Sequence, residues 1–155
     1  MGKLSAKELA DPIRDQFRLT DSPFYRLAQV EGVYQQRMAS SLKAVGMDLP
    51  RWRVLMILHE QSPSTVSEIA ERAVMKLSTM TKVAQRLAKE GLVLLAQNEQ
   101  DARRTDVHPT EAGEAALAKI REAASRIYQQ ATLDLSDEEI VLLNDLLGRM
   151  RSAML

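Results

Sequence analysis

From residue 22 onward the chain alternates long stretches of helical period with two short runs of β type. Leu27, Val30, Tyr34, Met38, Ser41, Leu42 and Val45 fall three or four residues apart, which stacks them on one helix face and predicts a buried stripe. Ser22 can accept backbone N–H groups as N-cap, Pro23 brings a pre-set φ to the first helical position, and Gly46 suits the left-handed residue beyond the end. That helix is expected over about 23–45. Pro50 opens a second, RWRVLMILHEQ, whose apolar run from Val54 to Leu58 predicts a core helix rather than a surface one. Before both, Ser5 and Glu8 have the spacing of a capping box and predict a short helix stopped near Pro12.

Thr65 followed by Glu68 repeats the capping-box spacing and predicts a short helix from Val66 to Ala73. After a tight VMK connection, LSTMTKVAQRLAKEG carries Met80, Val83, Ala84 and Leu87 on one side and Ser78, Lys82, Gln85 and Lys89 on the other, with Gly91 at its end. LVLLA and TDVHP read as two strands joined by the polar turn NEQDARR, a small hairpin. Thr110 can cap an alanine-rich helix from Glu111 to about Thr132, with Gly113 a weak point in its first turn. Ser136 and Glu139 form a further capping-box pair, opening a last helix with Ile140, Leu143, Leu146, Leu147, Met150 and Met154 at helical spacing.

Composition then narrows the chemistry. Of 155 residues, 45% are hydrophobic and 27% charged, which suits one domain over 1–155 with a sizeable core. Cysteine is absent and histidine occurs only at His59 and His108, which excludes thiolate sites and multi-histidine metal centres; no cofactor is expected. No stretch approaches ~18 consecutive apolar residues and MGKLSAKELADP lacks a signal-peptide core, so a cytoplasmic protein without a membrane partner is expected. The formal charge is zero, yet it is segregated. Lys76, Lys82, Arg86, Lys89, Arg103 and Arg104 outnumber Glu90, Glu99 and Asp101 in the middle of the chain, whereas residues 110–148 are acidic and leucine-rich.

A short helix, a tight turn, a second helix with a basic polar face and then a hairpin is the order of a winged helix-turn-helix. TVSEIAERAVMKLSTMTKVAQRLAKEGLV followed by DARRTDVHPTEAG resembles the MarR family of bacterial transcriptional regulators, and the helix order matches from about residue 23 to the end. The fold class expected is mainly α with a small β-wing. Residues 51–110 would form the DNA-binding lobe, and 23–46 and 111–155 the dimerisation helices. Three departures stand out. Val74 occupies a turn position where Gly is frequent, Lys76 a position where a Ser cap is frequent, and Pro109 a position where an apolar residue is frequent, which should shorten the second wing strand.

On this reading Ser78, Thr79, Lys82, Gln85 and Arg86 face the major groove of double-stranded DNA, where Gln pairs with adenine and Lys or Arg reaches guanine or phosphate. The D-x-R wing implies that Asp101 braces Arg103 for the minor groove, with Arg104 meeting phosphate. The leucine-rich terminal helices hold more apolar positions than a small winged core needs and imply a homodimer, which two operator half-sites also require. The resemblance further implies an effector, a small aromatic acid or its CoA thioester, near Tyr34, Met38, Trp52, Met56 and His59, with Arg26 or Arg53 as anion partners. Two other function classes compete. A winged helix that binds a protein instead of DNA suits the neutral net charge but leaves Lys82, Arg103 and Arg104 unexplained; an enzyme lacks any nameable nucleophile, base and orienting group.

Overall fold

Helix boundaries follow the local chemistry of the first turns. The computed structural model describes residues 4–155. In chain order these form α1 (Ala6–Leu9), a 3₁₀ turn (Leu19–Asp21), α2 (Pro23–Lys43), α3 (Leu49–Glu60), β1 (Ser64–Thr65), α4 (Val66–Arg72), α5 (Leu77–Lys89), β2 (Val93–Gln97), β3 (Thr105–Pro109), α6 (Glu111–Ala131) and α7 (Asp137–Ser152). Reciprocal capping boxes open α1, α4 and α7, through Ser5 with Glu8, Thr65 with Glu68, and Ser136 with Glu139. The Thr65 backbone N–H donates to Glu68 Oε2 at 2.8 Å and holds that carboxyl below the usual range. Asp48 caps α3 by accepting from the Arg51 N–H at 3.0 Å. At α2 the expected Ser22 side-chain cap is not made; Pro23 alone supplies the start, since its missing N–H removes one orphan donor.

A three-stranded antiparallel sheet, in the order β1-β3-β2, forms among the described residues, with Val93 opposite Pro109 and Ser64 opposite Val107. Strand β1 is too short to read from periodicity. Pro109 does not shorten β3, because the adjacent ladder bond is donated by the Thr110 N–H to the Leu92 carbonyl at 3.2 Å and asks nothing of the proline nitrogen.

Helix α3 lies at the centre, packed against α5, α6 and β3. Leu55 and Leu58 from α3, Ile69 from α4, Met80 and Leu87 from α5, and Val107 from β3 are all fully or almost fully buried. Each contributes about 1.5–3 kcal/mol of transfer free energy. Gly113 is not a weak point in α6. A β-carbon there would sit 2.1 Å from the Leu92 carbonyl oxygen, so the absent side chain is what lets the first turn of α6 rest on the entry to β2.

The α2 stripe is buried only in its second half. Met38 and Leu42 are inside, while Leu27, Val30 and Val45 are exposed. Antiparallel α6 covers the C-terminal half, and Arg37 bonds Gln130 close to where α6 ends, so within this chain α6 runs out before residues 24–33. Helix α7 goes further: none of its described residues is buried, and Val141, Leu142, Leu143 and Leu146 stand open.

Candidate functional site

The tight turn between α4 and α5 sets the pose of the second helix. Val74 takes φ +53° and is 85% exposed, and Lys76 serves as N-cap without a side-chain bond. A β-branched residue in the left-handed region is strained by its own Cβ, which is why glycine would be easier there. From this turn α5 buries Met80, Ala84 and Leu87 and presents Ser78, Thr79, Lys82 and Gln85 to solvent.

The wing hairpin is organised from within by its own polar side chains. Asn98 Oδ1 accepts from the N–H groups of Gln100 at 3.0 Å and Asp101 at 2.9 Å, and its Nδ2 donates to both Asp106 oxygens at 2.9 and 3.0 Å. Asp101 then accepts from the Arg103 N–H at 3.0 Å and from Arg103 Nε at 3.1 Å, with Nη2 at 3.5 Å from its other oxygen. The Arg103 side-chain bond, seconded by the Arg103 backbone N–H, holds the Asp101 carboxyl below its ordinary range. A carboxylate with a depressed pKa keeps its pairing above that value and loses it only in acid, so the brace is intact across neutral pH. The Arg103 side chain itself is 91% exposed.

Helix and wing share one surface. Ser67 of α4, Thr81 and Gln85 of α5, and Arg103 and Arg104 of the wing line a single shallow depression of 200 Å³. Residues eighteen or more positions apart in the sequence thus stand side by side, with the cationic wing tip beside the polar face of α5. Arg86 is placed differently: its guanidinium reaches Glu90 Oε1 at 3.1 Å and Asp48 Oδ2 at 3.3 Å.

A second feature is a cleft of 620 Å³ between α2, α3 and the end of α4, lined by Tyr34, Trp52, Arg53, Met56 and Arg72, with Val74 at its rim. It brings Tyr34, Trp52 and Met56 together but neither Met38 nor His59. Met38 lies wholly inside the core, and His59 faces α6, with Nε2 3.0 Å from Arg121 Nη1 and Nδ1 3.4 Å from Glu114. Helical spacing put all five on neighbouring turns without saying which side of α2 or α3 each would take. Arg53 pairs with Glu31 at 3.1 Å and Arg72 with Glu60, whereas the Arg26 guanidinium donates to Gln29 of its own helix at 3.3 Å. Asn98 and Asp106 of the wing, and Arg72 of the cleft, escaped the sequence reading. The composition of NEQD signals a turn, but the Asn98–Asp106 bond depends on hairpin register and Arg72 on tertiary placement.

Comparison with known proteins fits this geometry. The MarR family model matches residues 47–105, the span from the α3 cap to the start of β3. The chain is 42% identical over 137 residues to the HTH-type transcriptional repressor IacR of Pseudomonas putida, covering 88% of this chain and 82% of that protein. A probable transcriptional regulator from Pseudomonas aeruginosa superposes with a TM-score of 0.73 at 31% identity, over 86% of this chain and 99% of the other. NadR, crystallised with 4-hydroxyphenylacetate, shares the fold at a TM-score of 0.78 and 24% identity, over 90% of this chain and 97% of its own. None of the helices in the described residues is long and apolar enough to cross a membrane. With a winged helix-turn-helix in place and a 42% identical relative aligned along most of its length, the chain belongs to the MarR family, DNA-binding transcriptional regulators and not enzymes.

Proposed function

We propose that this regulator is a cytoplasmic homodimeric repressor that binds a palindromic operator and is released by a small aromatic acid or its CoA thioester. The observation that carries the DNA half is the shared surface of α5 and the wing, with Gln85 beside Arg103 and Arg104. In this reading Ser78, Thr79, Lys82 and Gln85 read the major groove, the Asp101-braced Arg103 enters the minor groove, and Arg104 meets phosphate. A narrow A·T-rich groove attracts Arg103 by its enhanced negative potential. Repression is supported by the name of the Pseudomonas putida relative.

The homodimer is supported by the open apolar residues of α7 and of the first half of α2. Two α5 helices must meet one face of the duplex about a helical turn apart, ~34 Å, so a modest change in lobe spacing releases DNA without unfolding either lobe.

The effector half rests on the cleft. It offers aromatic and thioether surface from Tyr34, Trp52 and Met56, and its Arg53 and Arg72 take a ligand carboxylate in exchange for their present partners, Glu31, which also lines the cleft, and Glu60. NadR, of the same fold, is crystallised with an aromatic acid, which supports that class. Val74 at the rim belongs to the turn that aims α5, so an occupant of the cleft bears on the reading helix. An effector that prefers the DNA-incompetent dimer ~100-fold shifts the equilibrium by about 2.7 kcal/mol.

Trp52 is the sole tryptophan and supplies the test. Titration with benzoates, hydroxycinnamates and their CoA thioesters should change its fluorescence over the concentration range that dissociates the operator complex. Silence of both signals across the series defeats the aromatic effector and leaves DNA binding standing. A ligand that moves Trp52 but not operator affinity also counts against it, because equal affinity for two states shifts neither.

A further inference from the structure

We propose that Arg51 is a positioning residue for operator recognition, fixing the pose of α5 through a closed ring of four charges. Arg51 opens α3 and is buried, with 6% of its surface exposed. Its Nη2 donates to the Gly46 carbonyl at 2.8 Å, its Nε to Asp48 Oδ2 at 3.1 Å, and its Nη1 to Glu90, the residue that closes α5. Arg86 completes the ring by pairing with both carboxylates, Glu90 at 3.1 Å and Asp48 at 3.3 Å. Each cation thus touches each anion, and the ring is neutral.

The ring ties the far end of the reading helix to the corner between α2 and α3. At its near end α5 is aimed by the Val74 turn, held by backbone bonds from Val74 to Glu71 and from Met75 to Ala70, and Lys76 adds no side-chain cap. At its far end the planar Arg51 fork has three acceptors at fixed angles, which constrains direction as well as distance. With Arg51 buried and its partners half-exposed, the ring is a poor source of stability, since desolvation of Arg51 offsets much of the attraction, but it does select one geometry over its neighbours. The same ring engages the guanidinium of Arg86, although its side chain stays 58% exposed. On this account Arg86 acts through Glu90 and Asp48, and the reading itself falls to Lys82 and Gln85.

The inference rests on the proposed DNA contact of α5, and the experiment separates the two. A duplex is selected from a random library by the wild-type dimer, and affinity for it and for a random duplex of equal length is measured at one salt concentration, because both depend on salt. Arg51→Met removes the fork but keeps the packed stem, and the carboxylates retain Arg86. Glu90→Gln, at a side chain one-third exposed, serves where Arg51→Met fails to fold. Both should lower selected-duplex affinity tenfold or more and change random-duplex affinity less than twofold. The double variant should lose no more than the larger single loss, since both break one ring. Folded variants that keep the wild-type ratio of selected to random affinity overturn the inference, whatever their melting temperature. A wild-type protein that selects no duplex overturns the DNA-contact reading beneath it, and this inference with it.

Discussion

The winged lobe and the terminal helices use similar sequence patterns to opposite ends. In the lobe the main apolar face of α5 finds its partner within the chain: Met80, Ala84 and Leu87 lie inside, against a core that α3, α4 and β3 complete, while Val74, Leu77 and Leu94 stay exposed. In α7 the spacing of Leu143, Leu146 and Leu147 is as regular, yet the helix buries none of its described residues, and the first half of α2 leaves Leu27, Val30 and Val33 open. Periodicity reports that a face is apolar and is silent about whose surface covers it. The lobe closes most of its apolar surface within the chain, while α7 and the first half of α2 meet only across an open pocket lined by Phe24, Leu27, Leu147, Met150 and Met154, and on the proposed reading a second copy covers what they leave open.

The most direct way to break that contrast is to remove α7. Truncation after Leu133 should leave the lobe folded, as judged by retained helical signal, yet yield a monomer by sedimentation and abolish operator binding. A full-length chain that sediments as a monomer at micromolar concentration overturns the dimer.

Gly113→Ala attacks the junction between the two regions. Its β-carbon meets a backbone oxygen, which cannot rotate aside, so a loss of about 2–4 kcal/mol is expected in chemical denaturation. An ordinary helical glycine would instead gain stability from alanine, so even the sign of the change decides the matter.

Within the lobe, Lys82→Ala or Gln85→Ala should weaken operator binding by about 1–3 kcal/mol and random-DNA binding much less. Arg103→Ala should weaken binding with less dependence on central sequence and flatten the salt slope, since wing cations act on groove shape and charge. Unchanged gel-shift affinity of Arg103→Ala at ~0.15 M salt removes the wing from the interface.

The smallest effect is expected at the turn. Val74→Gly relieves a left-handed β-branched residue and should raise stability by about 1 kcal/mol, part of the relief being offset by glycine's greater chain entropy. A lower melting temperature would mean that glycine's greater chain entropy outweighs the relieved strain.

Much was legible in the residues alone because it depends on neighbours three or four positions away. The three capping boxes, the Thr110 cap, the ends at Gly46 and Gly91, the hairpin and the polar face of α5 all rest on local backbone bonds and helical period. Tertiary structure decided what local rules leave open. It sent Met38 into the core and His59 toward α6 while gathering Tyr34, Trp52 and Met56 on one cleft, because a helix has two flanks and period does not say which neighbour each will meet. It turned Gly113 from an apparent weakness into a requirement, through a carbonyl twenty-one positions away. And it took Arg86, a plain cation on a basic stretch, into a ring with Asp48, Arg51 and Glu90, since a charge's partners are set by distances in space that its place in the chain does not contain.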